Sequence, residues 1–308
     1  MIQSFADLDN RIKEANPGAP KVLAVAAAEE EHVLQAVCEA ARLGIIHGIL
    51  VGDVHRISEI AEKHGFDLKG FKLVNCGDIR AAAREAVELV HKGEAQILMK
   101  GLLDSSIYLK AILDKEGGLR SSKLLSQVSL FEIEKINRLL IITDPAMNPE
   151  PGLEEKEIIM KNAVSFARVL GIDCPKVAFI CPIEKVNPRM DSTLHAKALT
   201  EKYGGNKEFL VDGPFGFDIA VSVEAARIKG IGGPVAGNAD ILLVNDIGVG
   251  GVLYKSLVYL SNTRNGGVVV GAKAPVLMTS RSDSTDTKLN SIKLGVLLAN
   301  CNQPLNWL

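Results

Sequence analysis

The sequence predicts an α/β protein of two domains, and three observations carry that prediction. Short aliphatic and β-branched runs alternate with longer stretches of helical periodicity, the pattern of a mostly parallel sheet covered by helices. The length of 308 residues exceeds the roughly 250–300 residues at which a single hydrophobic core stops growing. The composition is aliphatic, 47% hydrophobic but 5% aromatic, with 28 glycines available for tight turns.

Lys21–Ala28 (KVLAVAAA) reads as a buried strand. Glu29–Gly44 places Val33, Ala36, Val37, Ala40 and Ala41 at helical spacing and ends on a capping glycine. Ile45–Gly52 is the next strand, Ile57–His64 a short helix and Phe71–Cys76 a third strand. Ile79–His91 follows as a helix, Ala95–Gly101 as a fourth strand and Ser105–Glu116 as another helix. After Gly117-Gly118 the pattern changes: Lys123–Ile133 and Arg138–Asp144 stand so close that they predict a hairpin. Three prolines within Asp144–Pro151 deny that stretch helix or central strand. Leu153–Leu170 is a long helix. Strand and helix then alternate through Lys176–Pro182, Leu194–Tyr203, Glu208–Gly213, Phe217–Lys229, Ile241–Asp246, Val252–Leu260, Gly267–Ala272 and Pro275–Thr279, closing with the helix Thr285–Asn300. The changes of pattern divide the chain into a discontinuous first domain, 1–125 with 274–308, and a second domain, 126–273, inserted into it.

Thirty-five Lys and Arg against 37 Asp and Glu give a net charge of −2, so no global basic field exists for a nucleic acid. The first residues lack the apolar core of a signal peptide, and no apolar run approaches the roughly 18 residues of a membrane span. A soluble, cytoplasmic protein with no membrane partner is expected. Five cysteines without a C-x-x-C pair predict buried, inert thiols, and six scattered histidines offer no zinc motif.

There is no G-x-x-x-x-G-K-[ST] phosphate loop and no G-x-S-x-G elbow. The best dinucleotide candidate, Gly248–Leu253, has Leu253 where the third glycine belongs. What stands out is Pro275–Lys288, in which a strand ends at Thr279, Asp283 reads as a helix N-cap and Asp286 sits at the third helical position. Capping chemistry alone explains the hydroxyls and both aspartates. It does not explain Arg281, a cation before a positive helix end, which is costly unless an anion lies between them. Arg281, Ser280 and the amides of the first turn would hold a phosphate-sized anion, with Asp286 placed to exchange a proton.

Five blocks, TSRSDSTDTKLNSI (Thr279–Ile292), PVAGNADILLVNDIGVGGVLYK (Pro234–Lys255), LMKGLLDSSIYLKAILDKEGGLR (Leu98–Arg120), VDGPFGFDIAVSVEAARIKG (Val211–Gly230) and LLIITDPAMNPEPGLEEK (Leu139–Lys156), resemble the phosphate acetyl/butyryl transferase family, and its butyryl branch more closely. The resemblance implies two Rossmann-like domains with a cleft between them, similar to the isocitrate and isopropylmalate dehydrogenases. It implies reversible transfer of a short acyl group between coenzyme A and inorganic phosphate in a ternary complex. Coenzyme A would be substrate or product, with no tightly bound cofactor. The other partners would be acyl-CoA, phosphate, acyl phosphate and a further copy of the chain in a homodimer or larger homo-oligomer.

By the same resemblance Ser280 donates to the reacting carbonyl or thiol, Arg281 clamps phosphate and Asp286 is the base, with Asp283 as the other candidate. Lys100 and Lys110 would contact substrate. Asp144, Asn148 and Asp246 either face the cleft or serve turns. His195 reads as a surface helix residue. Three departures from the family pattern are visible: Thr287 stands where the acetyl branch has its aspartate, Lys110 where an arginine is usual, and Gly250-Gly251 where Gly-Asn is usual. The alternatives are a phosphate acetyltransferase, a non-catalytic binder of CoA or acyl phosphate, and a dehydrogenase sharing the fold.

Overall fold

In a computed structural model that describes residues 1–15 and 20–301, the chain is a mixed α/β protein. The expected first-domain segments 16–19 and 302–308 lie outside the described residues. The described residues divide into two compact units: Phe5–Ser122 with Asn265–Cys301, and Lys123–Arg264 with Met1–Ser4.

The first unit begins with α1 (Phe5–Ala15), β1 (Lys21–Ala26), α2 (Glu31–Arg42), β2 (Ile46–Gly52) and α3 (Val54–His64). It continues with β3 (Lys72–Asn75), α4 (Ile79–His91), β4 (Ile97–Lys100) and α5 (Ser105–Ile112). Helix α5 stops four residues before its expected end, because the Asp114 carboxylate accepts from the Glu116 and Gly117 N–H groups and turns the chain.

The second unit holds β5 (Ser126–Ile133), β6 (Arg138–Thr143), α6 (Leu153–Val169), β7 (Lys176–Ile180), α7 (Asp191–Tyr203) and β8 (Leu210–Phe215). After these come α8 (Phe217–Val221), α9 (Val223–Ile228), β9 (Ile241–Leu243) and α10 (Ile247–Leu260). Strands β5 and β6 form the expected antiparallel hairpin, and the order β5-β6-β9-β7-β8 is parallel from β6 onward. Phe131, Leu140, Ile142, Ala178, Leu242 and the α8 residues Ile219 and Ala220 form the core of one face. The helix expected over Phe217–Lys229 is broken at Ser222, whose extended backbone ends α8 and whose hydroxyl caps α9 through the Ala225 N–H. Gly248–Gly251 lies inside α10, which starts five residues earlier than expected.

The chain then returns to the first unit through β10 (Thr263–Val270), β11 (Val276–Leu277) and α11 (Thr285–Ala299). Strand β11 pairs parallel with β4 and antiparallel with β10, giving that unit the order β3-β2-β1-β4-β11-β10. This pairing moves the return point to Asn265, where the pattern of the sequence suggested 274. The N-cap of α11 is Ser284, whose Oγ accepts the Thr287 N–H, so Asp283 is not the cap and Asp286 is the second helical residue instead of the third. Eleven of its 15 residues are buried, including Lys288, Asn290, Ser291 and Lys293. Of the cysteines expected to be buried, Cys181 is, Cys174 is exposed and Cys38, Cys76 and Cys301 are intermediate. Among the described residues no helix is long and apolar enough to cross a membrane.

Candidate active site

Five of the predicted residues are gathered in the first unit, at the carboxyl ends of β4 and β11 and the start of α11. The turn from Ser280 to Ser284 is closed by its own polar groups. The Ser280 N–H donates to Asp283 Oδ2 (2.7 Å) and the Asp283 N–H to the Ser280 carbonyl (3.2 Å). Lys288, one helical turn on and almost fully buried, donates its ammonium to the carbonyls of Ser280 (3.0 Å) and Asp283 (2.8 Å). The backbone carrying Ser280 and Arg281 is therefore fastened from below by a cation. Burial pushes the Lys288 pKa down, against the pull of Glu30 and Asp283. The Ser280 hydroxyl is exposed and 3.0 Å from that of Ser282. Preceding it, Thr279 Oγ1 is buried without a hydrogen-bond partner among the described residues.

Asp283 is buried and engaged by the Ser280 main chain, whereas Asp286 is exposed on the first turn of α11 and receives the Asn290 amide at 3.2 Å. Asn290 is itself held by the Asn265 carbonyl, and Thr287 donates to the Asn265 side chain. Arg281 is exposed, and its Nη2 donates to Asp104 Oδ1 at 2.7 Å. The anion that the helix dipole requires next to Arg281 is thus present as a side chain of the protein.

Lys100 closes β4. Its ammonium donates to the carbonyls of Gly101 (3.3 Å) and Leu103 (3.1 Å), and the residue is 4% exposed. Burial lowers its pKa, and the charges of Arg281 and Lys288 lower it further. Gly101 allows this crossing of chains, since a Cβ there would lie 2.0 Å from the Ala27 carbonyl oxygen. Lys110 is not part of the group. It is exposed in the last turn of α5, about 7.5 Å along the axis from the helix start, where a cation suits the helix dipole.

The second unit carries the other three predicted residues. The Asp144 carboxylate is buried and accepts from the N–H groups of Ala146 and Met147, both at 3.0 Å, and from the Asn148 amide. Burial raises its pKa even though these hydrogen bonds oppose the shift. Asn148 also donates to the Leu125 carbonyl, so both residues hold the proline-rich loop in shape. Asp246 caps α10 through the Val249 N–H (2.9 Å) and accepts from Asn245 (2.9 Å). Burial would push its pKa up, but these bonds outweigh it and leave the carboxyl below its usual range. Gly250 lets α10 approach this loop, because a Cβ there would lie 2.6 Å from Pro145 Cα. Lys156, buried on α6, donates to Asn245 Oδ1 (2.7 Å) and lies 3.0 Å from His195 Nδ1. His195 is accordingly half-buried, and burial followed by the Lys156 charge lowers its pKa.

Lys288, Asn290, Asp104 and Lys156 were not singled out from the sequence. For Asp104 a local sign existed, since it precedes Ser105 and Ser106 at a helix start. The two lysines and Asn290 look like solvent-facing helix positions.

The fold and this site define a class: an α/β enzyme with a polar, arginine-bearing turn between a strand end and a helix start. Residues 77–296 match the family model described as phosphate acetyl/butaryl transferase, and the chain belongs to that family. It is 47% identical to a phosphate butyryltransferase of Clostridium acetobutylicum, over 97% of this chain and 99% of that one. It is 42% identical to a phosphate acetyltransferase of Thermotoga maritima, over 94% and 99% of the two chains. Its structure resembles that of a branched-chain phosphotransacylase from Enterococcus faecalis, with a TM-score of 0.83 and 35% identity over 91% of this chain and 99% of that one.

Proposed function

We propose that this protein catalyses reversible transfer of a short-chain acyl group, butyryl or branched, between coenzyme A and inorganic phosphate. The observation that carries the proposal is the similarity at 47% identity across 97% of the chain to a phosphate butyryltransferase, with the Ser280-Arg281 turn held at the mouth of β11. In the direction of acyl phosphate, a phosphate oxygen attacks the thioester carbonyl carbon. The carbon–oxygen bond forms, the carbon–sulfur bond breaks and CoA leaves as a thiolate that takes up a proton. In reverse the thiol, whose ordinary pKa is about 8.5, must give a proton to a base before sulfur attacks.

Arg281 gathers phosphate and Ser280 donates to the oxyanion that develops on the carbonyl. Asp286 serves as base, since Asp283 is engaged by the Ser280 main chain. Lys100 supplies further positive potential beside Arg281, and Lys110 a more distant one. Asp144, Asn148, Asp246 and Asp283 shape the loops that carry substrate contacts. The Rossmann-like two-domain arrangement, a cytoplasmic location and assembly into a homodimer or larger homo-oligomer belong to the same proposal, with coenzyme A as substrate and no tightly bound cofactor.

The test is thiol release from butyryl-CoA with phosphate, with arsenate and with neither. Release that depends on the anion supports the reaction, and its absence with acetyl-, butyryl- and isobutyryl-CoA would sink it. The 42% identity to a phosphate acetyltransferase favours one second reading, acetyl transfer. Higher turnover of acetyl-CoA than of butyryl-CoA would select it.

A further inference from the structure

Arg281 is the residue on which phosphate would be gathered, yet its guanidinium is already engaged. Asp104 Oδ1 sits 2.7 Å from Nη2, the distance at which an oxygen of a bound phosphate would lie on the same nitrogen. Asp104 immediately precedes α5, where an aspartate ordinarily turns its carboxylate onto the amides of the first helical turn. Other helix starts of this chain do so. Asp53 accepts the His55 and Arg56 N–H groups before α3, Asp78 that of Ala81 before α4, and Asp246 that of Val249 before α10. Asp104 has the extended backbone of a cap (φ −71°, ψ 140°) but makes no capping hydrogen bond with its side chain. Its carboxylate has left the helix for the guanidinium.

We propose that Asp104 is a positioning residue of the phosphate site, a resident counter-ion that holds Arg281 until phosphate displaces it, whereupon the carboxylate caps α5. This role rests on the function proposed above. The side chains of Arg281 and Asp104 are 59% and 70% exposed, so their ion pair is of the weak, solvent-screened kind. The N-cap bond it would exchange for is also modest. Two nearly balanced arrangements are separated by whichever ligand prefers one of them. Phosphate prefers the arrangement with Arg281 released, because it can take both arms of the fork and carries more charge than one carboxylate.

Lys100 interacts electrostatically with both members of the pair, and also with Lys288 and Glu30. The two lysines keep the site cationic when Asp104 withdraws. Helix α5 then acquires its missing cap only when phosphate is present, which links occupancy of the anion site to the order of the segment following Lys100.

The experiment compares wild type, Asp104→Asn and Asp104→Glu by calorimetric titration with inorganic phosphate, together with KM for phosphate and for butyryl-CoA. Asparagine caps helices as well as aspartate does but does not bear the charge. Asp104→Asn is expected to bind phosphate about threefold to fivefold more tightly, with KM for phosphate falling in step and KM for butyryl-CoA unchanged. Asp104→Glu restores wild-type phosphate affinity. Unchanged or weaker phosphate binding in Asp104→Asn overturns the proposal, and so does a glutamate variant that behaves like asparagine. Wild type without phosphate-dependent CoA release would refute the transfer reaction instead, while the calorimetric comparison would still decide the role of Asp104.

Discussion

Replacing Gly101 by alanine places a methyl group 2.0 Å from the Ala27 carbonyl oxygen and 2.8 Å from the Ala26 oxygen and the Ala27 carbonyl carbon. All three atoms are main chain, so none can swing aside. To restore a contact of 3.0 Å from 2.0 Å the segment must retreat by about 1 Å. The retreat stretches two hydrogen bonds, from the Gly101 N–H to the Ala26 oxygen (2.9 Å) and from the Leu102 N–H to the Ala27 oxygen (2.6 Å). Each is worth about 1 kcal/mol, and the overpacking adds about 1–3 kcal/mol. A loss of about 4 kcal/mol lowers Tm by roughly 6 °C in a chain of 308 residues, given an unfolding entropy of about 2.1 cal/mol/K per residue. Lys100 is anchored on the carbonyls of Gly101 and Leu103, so its ammonium moves with them. Misplacing a positioned group by about 1 Å costs on the order of 100-fold in rate. Thermal unfolding by circular dichroism and phosphate-dependent CoA release from butyryl-CoA measure the two effects. A Gly101→Ala protein that melts within about 2 °C of wild type and retains most of its turnover would refute this account of the crossing.

Arg281→Ala should raise KM for phosphate and lower turnover, whereas Ser280→Ala should lower kcat with little change in KM, by about 100- to 1,000-fold if it supports the oxyanion; steady-state kinetics in both substrates separate them. Asp286→Asn should lower kcat in the acyl-CoA-forming direction more than Asp283→Asn does, and the reverse order would move the base to Asp283. Glu157→Gln probes stability against pH. Burial alone would raise the Glu157 pKa, but hydrogen bonds from Lys202, Tyr203 and Lys161 dominate and bring it down from 4.5 to about 2. With a depressed folded value, the stabilisation is present above pH 4.5 and is lost as pH falls through about 2. At about 1.4 kcal/mol per pH unit, discounted for partial exposure, the variant should be about 2 kcal/mol less stable at pH 7 and equal to wild type near pH 2. A urea-unfolding difference that stays constant across that range contradicts the assignment.

Strong local signals made much of the fold legible. Ile79–His91 is found residue for residue, with Asp78 accepting the Ala81 N–H at its start, and the β5–β6 hairpin follows from two aliphatic runs set close together. Where local signals were degenerate, tertiary contacts decided. Asp283 and Ser284 are both good caps, and the bond from the Ser280 N–H to Asp283 leaves the capping to Ser284. In Val221–Val223 a serine between valines reads as helix interior, but its extended backbone ends one helix and starts another. The Ser280-Arg281 turn was visible from its charge and hydroxyl pattern. Its support was not: Lys288 and Lys156 have the local surroundings of surface lysines, yet both are buried, Lys288 on the Ser280 and Asp283 carbonyls of the turn and Lys156 on Asn245, 89 residues away. The Arg281–Asp104 pair spans 177 residues, a separation that no local pattern encodes.

Helix α11 has one more consequence, for the order in which the protein is made. It packs against α1 and α2, with Lys293 on Asp9 (2.6 Å) and Thr285 on Gln35 (2.7 Å), yet roughly 280 residues leave the ribosome before it does. Until then the unit begun by β1 lacks β11 and the helix that covers β4 and α2. It also lacks Ser280, Arg281 and Asp286. A chain stopped before α11 therefore carries all of Lys123–Arg264 but lacks the Ser280–Ser284 turn in its bonded form. Completion of the first unit and closure of that turn become a single late event in the life of the chain.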